Sequence, residues 1–157
     1  MPRGDIAWLA LKRAAAKGSA HDWEGTPQGV AGLQAYLADV SDAAKDFEKA
    51  EEWFCWAAFE RLMARKCCAV WLRATAADVA GKARNSVLAA AEQYARAFDF
   101  YDQYRSEVSA GEPTPLTLQE RARTPERIAV IAPLLEKGIA AETAGLQTLK
   151  EAARTLA

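Results

Sequence analysis

The sequence predicts an all-α protein, an antiparallel helical bundle of about five helices, three of them long. Apolar residues recur at intervals of three and four along most of the 157 residues, which is the spacing of one helix face. No segment alternates apolar and polar residues over the length of a strand, and residues 48–80 contain neither glycine nor proline. The length favours a single domain over residues 1–157.

Two short helices are predicted in the N-terminal part of the chain. The first follows Asp5 as a cap, ends at Gly18, and has these residues at helical spacing: Ile6, Leu9, Ala10, Arg13 and Ala14. "HDWEGTPQG" is predicted to be a loop. Thr26 and Pro27 are predicted to cap and open the second helix. Its inward residues are predicted to be Val30, Leu33, Tyr36, Leu37 and Val40.

Three long helices are predicted to follow. The third runs from about Glu48 to Ala80 and is ended by Gly81, and the fourth covers residues 82–110. After a proline-rich linker, a fifth helix begins at residues 124–126 and runs nearly to the C-terminus. Pro133 is expected to kink it or to move its start. Gly138 and Gly145 lower its helix propensity, so packing must hold it.

Composition and charge exclude several classes of function. Charged residues make up 26%, the net charge is −1 and the pI is about 5.9, with no basic segment, so nucleic acid is not an expected partner. No segment is long and apolar enough for a membrane span, and the N-terminus lacks the pattern of a signal peptide. Three cysteines without paired spacing are typical of a reducing compartment, which predicts a cytoplasmic protein.

The cysteines give little sign of a thiol or metal site. Cys67 and Cys68 are adjacent on a helix, so they point about 100° apart, and Cys55 lies on another face. The single histidine, His21, would need its loop to fold over the third helix before it could activate a thiol. Small apolar filling of a helix contact is the simpler interpretation. A di-iron bundle needs more histidines, and no zinc, phosphate-loop or nucleophile-elbow motif is present. No cofactor or metal is therefore predicted.

Aromatic residues are more abundant on the third and fourth helices than one docking stripe requires. Trp53 and Trp56 share a face with Glu60, while Tyr94, Phe98 and Tyr101 form a stripe on the fourth helix. Charged residues are interleaved with them: Glu60, Arg61, Arg65, Asp99, Asp102 and Arg105. An aromatic wall with a few polar groups is typical of a small-molecule pocket. Large side chains that fill an alanine-rich core would produce the same pattern.

A family resemblance is carried by the order of several segments. These are "GVAGLQAYLADV", "DFEKAEEWF", "FERLMARKCCAVWLRATA", "LAAAEQYARAFDFY" and a last helix after "RTPE". In this order the chain, over residues 7–156, is similar to a helical region of bacterial butirosin-biosynthesis H-like (papain-like, C39-like) proteins and related hypothetical proteins. In that family the cysteine chemistry belongs to a separate domain. Cys67 and Cys68 stand where alanines are more usual. The resemblance implies a helical module of bacterial origin that binds rather than catalyses.

Three functional hypotheses follow. The first is a non-catalytic bundle that binds an apolar or aromatic small molecule, with a predicted lining of Trp53, Trp56, Glu60, Tyr94, Tyr101 and Tyr104. The second is a protein-interaction module, either a homodimer or a partner of a longer enzyme, that covers the surplus apolar faces. The third is an enzyme in which Glu60 and Tyr94 or Tyr101 act as acid and base. No catalytic residue is assigned, and the chain is expected to bind rather than catalyse.

Overall fold

The computed structural model describes residues 3–18, 22–23, 26–27, 29–42, 64–109 and 124–155. Within these residues the protein is an all-α bundle, which confirms the predicted fold class. Its helices are α1 (Arg3–Gly18), α2 (Gly29–Ser41), α3 (helical at residues 64–75), α4 (Gly81–Ser109) and α5 (Pro125–Thr155).

The long helices α4 and α5 form the centre of the bundle and run antiparallel. Tyr94 of α4 lies against Gly145 of α5, and Tyr101, two turns later, lies against Gly138, two turns earlier. The other helices pack around this pair: α1 and α2 contact α5, and the turn that follows α3 contacts α4.

The described part of α3 also runs antiparallel to α4. Near its start, the Nζ atom of Lys66 lies 5.5 Å from the ring centroid of Phe98. Near its end, Arg73 forms a salt bridge of 3.0 Å with Glu92. Because the partner numbers fall as the α3 numbers rise, the two helices point in opposite directions.

Two apolar clusters make up the core of the described residues. The first joins α1, α3, the N-terminal half of α4 and the end of α5, and its side chains with almost no exposed area include Leu11, Leu72, Val87 and Leu149. The second joins α2 to the C-terminal half of α4 and the start of α5, and includes Leu33, Val40, Ile131 and Leu135. Alanines at the helix contacts let the backbones approach closely, and larger side chains fill the space between them.

The buried face of α1 is not the stripe of residues whose helical spacing predicted this helix. Ala7, Leu11 and Ala15 are buried, while Ile6 is 53% exposed and Arg13 is exposed. The two stripes are adjacent on the helix, and the apolar residues of "DIAWLALKRAAA" are too evenly spread to distinguish them. Asp5 lies in the first turn of α1 rather than before it, where its charge still complements the helix dipole.

The loop between α1 and α2 contains a minimal hairpin. Asp22–Trp23 pairs in antiparallel register with Thr26–Pro27. Pro27 therefore lies in a strand, and the prediction that it opens the second helix is wrong. Helix α2 begins instead at Gly29, whose φ of 57° is readily adopted only without a side chain. The predicted inward face is confirmed, since Leu33 and Val40 are buried and Val30, Tyr36 and Leu37 pack against the core.

The junction between α3 and α4 also differs from the prediction. The third helix ends in a 3₁₀ turn at Ala76–Asp78, and Val79 is extended with a ψ of 140°. Gly81 does not end the third helix but is the first residue of α4, with a φ of 61°. The predicted N-terminal part of the third helix lies outside the described residues.

The predicted start of the last helix is confirmed. Thr124 caps α5, because its Oγ1 accepts a hydrogen bond of 3.3 Å from the backbone N–H of Arg127. Pro133 lies inside α5 without moving its start.

Candidate functional site

A buried carboxylate lies at the centre of the α3, α4 and α5 contact. Glu142 on α5 is 4% exposed and is the one buried carboxylate of the described residues. It belongs to the inward stripe of α5, whose members are Leu135, Gly138, Glu142, Gly145 and Leu149. A charge in this position is expensive unless it is paired and hydrogen-bonded.

Arg65 and Tyr101 satisfy this carboxylate. The Nε of Arg65 donates a hydrogen bond of 2.7 Å to Oε2 of Glu142, and its Nη2 donates to Oε1. The fork geometry of the guanidinium allows this two-point contact. The hydroxyl of Tyr101 donates a further bond of 3.1 Å to Oε2. Three donors from two other helices therefore converge on one buried acid.

Glycines on α5 make room for the two tyrosines that flank Glu142. A Cβ at Gly138 would lie 2.7 Å from Cδ1 and 2.9 Å from Cζ of Tyr101. A Cβ at Gly145 would lie 3.2 Å from two ring carbons of Tyr94. Each ring thus occupies the space of a missing side chain. The seven-residue spacing is the same on both helices, and it places the rings on the two sides of Glu142.

Tyr94 and Cys68 complete the site. We call Arg65, Cys68, Tyr94, Tyr101 and Glu142 the Glu142 cluster. Tyr94 is 8% exposed, and its hydroxyl forms no hydrogen bond with any described residue. Cys68 is half-buried and packs against the first apolar cluster.

Burial and charge determine the protonation states in the cluster. Burial opposes the charge of Arg65, but the hydrogen bond and attraction of Glu142 outweigh it, so the pKa of Arg65 is raised. Burial raises the pKa of Tyr94 far above its usual value, and the negative charges of the Cys68 thiolate, which forms only at high pH, and of Glu142 raise it further. Burial also raises the pKa of the Cys68 thiol. At neutral pH both the phenol and the thiol are therefore neutral hydrogen-bond donors.

The structure places the predicted lining residues in different surroundings. Tyr94 and Tyr101 come together in the Glu142 cluster. Tyr104 is buried elsewhere, with its hydroxyl 2.9 Å from that of Tyr36 in an edge-to-face pair. Trp53, Trp56 and Glu60 lie outside the described residues, so their place in the lining stays a prediction.

The interleaved charges also separate. Asp102 and Arg105 pair with each other on the surface at 3.0 Å, and Asp99 is exposed. Glu60 and Arg61 lie outside the described residues, and of those interleaved charges that the structure describes, only Arg65 enters the site. Its partner Glu142 was missed, although a signal was present: it is the one charged residue in the stripe of small and apolar residues along α5.

The described cysteines differ from each other. Cys67 is exposed, so the prediction that it fills a helix contact is wrong for this residue, whereas Cys68 packs against the core as a small apolar side chain does. A raised pKa makes Cys68 a poor nucleophile at neutral pH. His21 and Cys55 lie outside the described residues. Within the described ranges, no group of three His, Cys, Asp or Glu side chains is arranged to hold a metal ion.

Two further findings bear on the class of protein. No described helix combines the length and apolar character that crossing a membrane requires. Comparisons with protein-family models, curated proteins and solved structures find no match to this chain.

Proposed function

We propose that the protein is a non-catalytic helical bundle that binds a small molecule at the Glu142 cluster. One observation carries the proposal: a buried carboxylate, held by an arginine and a tyrosine, is built into an alanine-rich core. Well-packed apolar residues of similar volume are often as stabilising as a buried ion pair, or more so. A polar site at the contact of three helices is therefore better explained by binding than by stability alone.

The surroundings of the cluster support binding at its edge. Arg65 keeps 20% of its side chain exposed while it holds Glu142, so the cluster reaches the protein surface at this residue. Phe98 is half-buried one turn beyond Tyr94 on the same face of α4. An aromatic wall beside a fixed polar group resembles the lining of small-molecule sites. Trp53, Trp56 and Glu60 remain predicted members of this lining, and Tyr104 is replaced by Phe98.

The pKa directions favour binding over acid–base catalysis. A general acid or base works best with a pKa near the operating pH. The pKa of Tyr94 moves away from neutrality, and the Tyr101 hydroxyl is already donated to Glu142. The resemblance to the helical region of butirosin-biosynthesis H-like proteins also supports a module that binds and does not catalyse.

Native mass spectrometry of the purified protein tests the proposal. We expect an added mass that is released on mild denaturation and is lost in the double variant Arg65→Met/Glu142→Leu, which removes both charges and keeps an apolar core. The matched control Arg73→Met/Glu92→Leu removes the exposed ion pair between α3 and α4 and should retain the mass. An added mass that both variants retain would place binding elsewhere. No added mass, together with no response to any probe described below, would refute the proposal.

A second candidate function is a homodimer through α3. Val70 is 60% exposed and Trp71 is 37% exposed, and both lie with Cys67 on one apolar stripe of this helix. Exposed apolar stripes are common at protein–protein contacts. Light scattering decides this hypothesis: a dimer that Trp71→Glu converts to a monomer would support it, and a wild-type monomer would exclude it.

A further inference from the structure

We propose that the ligand of the Glu142 cluster is a monoanionic carboxylate with an apolar or aromatic body. This inference rests on the proposed function and adds a chemical class to it. Its basis is the balance of hydrogen-bond donors and acceptors in the cluster, together with the charge at its exposed edge.

The cluster has more donors than its own acceptors occupy. A guanidinium carries five N–H donors, and Arg65 gives only one from Nε and one from Nη2 to Glu142. The other N–H groups of Arg65 have no hydrogen-bond partner among the residues that the structure describes. The Tyr94 hydroxyl adds one more donor of the same kind, and a raised pKa keeps it protonated.

The acceptors of Glu142 are nearly all in use. A carboxylate offers about four lone-pair positions, and Arg65 and Tyr101 occupy three of those of Glu142. Among the residues that the structure describes, a ligand that donates hydrogen bonds would therefore find almost nothing to accept them. A ligand that accepts hydrogen bonds would find the guanidinium and the Tyr94 hydroxyl.

The charge at the edge also favours an anion. Among the described residues of α3 and α5 at this edge, Arg65 and Glu142 cancel, and the exposed Lys66, which follows Arg65 on α3, adds one positive charge. Its ammonium lies 5.5 Å from the ring centroid of Phe98, so this charge and the aromatic wall are neighbours. A ligand with one negative charge balances the single positive charge of Lys66, whereas a phosphate dianion leaves one negative charge in excess. The planar fork of arginine matches a carboxylate, and the ring of Phe98 offers a surface for the apolar body.

Three probes of one shape test the class: 3-phenylpropionate, 3-phenylpropan-1-ol and 3-phenylpropan-1-amine, each titrated into the full chain by calorimetry. We expect the carboxylate to bind about tenfold or more tightly than the alcohol, since hydrogen bonds to a charged acceptor are the stronger ones. The amine should bind most weakly. The preference should vanish in Arg65→Met/Glu142→Leu and persist in Arg73→Met/Glu92→Leu. Tyr94→Phe should weaken carboxylate binding and leave alcohol binding nearly unchanged.

The outcomes separate this inference from the proposed function. If the alcohol or the amine binds as tightly as the carboxylate, and binding is lost in the double variant, the site exists but the ligand class is wrong. If no probe binds, the released mass in native mass spectrometry decides: a compound with a carboxylic acid group supports the class, and one without it overturns the class. If no probe binds and no mass is released, both proposals fail.

Discussion

Two buried tyrosines of α4, Tyr104 and Tyr101, bond through their hydroxyls to different kinds of partner. The hydroxyl of Tyr104 lies 2.9 Å from the hydroxyl of Tyr36 on α2, which is a hydrogen bond between two uncharged groups. Tyr101, one turn earlier, bonds to the carboxylate of Glu142, which in turn needs Arg65 from α3. The first contact joins two helices through uncharged groups. The charged site involves a third helix, and one of its members, Arg65, keeps 20% of its side chain exposed.

The largest expected effect comes from removal of the arginine of the charged site. Arg65→Met leaves Glu142 buried without its counter-ion, and we expect the free energy of unfolding to fall by about 3 kcal/mol, the low end for a broken buried pair. The matched change Arg73→Met breaks an exposed pair on the same helix and should cost about 1 kcal/mol or less. Urea unfolding measures both. Equal losses of unfolding free energy would show that the buried Arg65–Glu142 pair contributes no more to stability than the exposed Arg73–Glu92 pair.

The two glycines of α5 should differ in their tolerance of a methyl group. Gly138→Ala drives a Cβ into the ring of Tyr101, and overpacking of this kind costs about 1–3 kcal/mol. Gly145→Ala makes a contact of 3.2 Å, and the better helix propensity of alanine, about 1 kcal/mol, offsets it. Thermal unfolding of the two variants compares them. A Gly145 variant less stable than the Gly138 variant would contradict this packing.

Removal of one tyrosine hydroxyl from each of the two contacts compares their contributions to stability directly. Tyr36→Phe removes a hydrogen bond between neutral groups, for which we expect a loss of about 1 kcal/mol. Tyr101→Phe removes a bond to a carboxylate, and such bonds contribute about 1.5–3 kcal/mol. The free energy of unfolding in urea should therefore fall further for Tyr101→Phe. The reverse order would mean that the Glu142 carboxylate depends little on the Tyr101 hydroxyl.

The smallest effect is expected in the dependence of stability on alkaline pH. The pKa of Tyr94 is raised in the folded protein, so above the usual tyrosine value of about 10 the unfolded chain loses a proton that the folded chain keeps. The titration of Tyr94 therefore leaves the free energy of unfolding unchanged below that pH and lowers it above that pH. Tyr94→Phe should match the wild type near neutral pH and lose less stability above about pH 10. If the thermal midpoints of the wild type and of Tyr94→Phe changed by the same amount with pH over the whole range, the burial of this phenol would be contradicted.

Particular residues show how far the sequence could predict this protein. Periodicity was sufficient for the inward face of α2, and a cap was sufficient for the start of α5, where Thr124 and Pro125 act as expected. Gly81 and Pro27 were misassigned because glycine occurs at both ends of helices, and Thr-Pro suits a short strand as well as a helix start. These ambiguities are local, and only the packing of neighbouring elements resolves them.

For a similar reason, the sequence predicts only part of the Glu142 cluster. The stripe on α4 identified Tyr94 and Tyr101, but it could not show that glycines on a helix more than 35 residues away receive their rings. Gly138 and Gly145 were recognised only as weak points that packing must hold. Glu142 belongs to the same stripe, yet its pairing with Arg65 depends on a contact across the bundle, which periodicity along one helix does not encode.

The tyrosine–glycine contacts also determine where the chain tolerates change. Both contacts lie in helix interiors, and their common seven-residue spacing fixes how α4 and α5 align with each other. A shift of either helix by one turn would place rings against side chains in place of glycines. We therefore expect changes of length within residues 110–123 to leave this alignment unchanged. New chain ends placed there, with the present ends joined by a linker, should give a circular permutant with the same helix alignment and the same carboxylate at its centre.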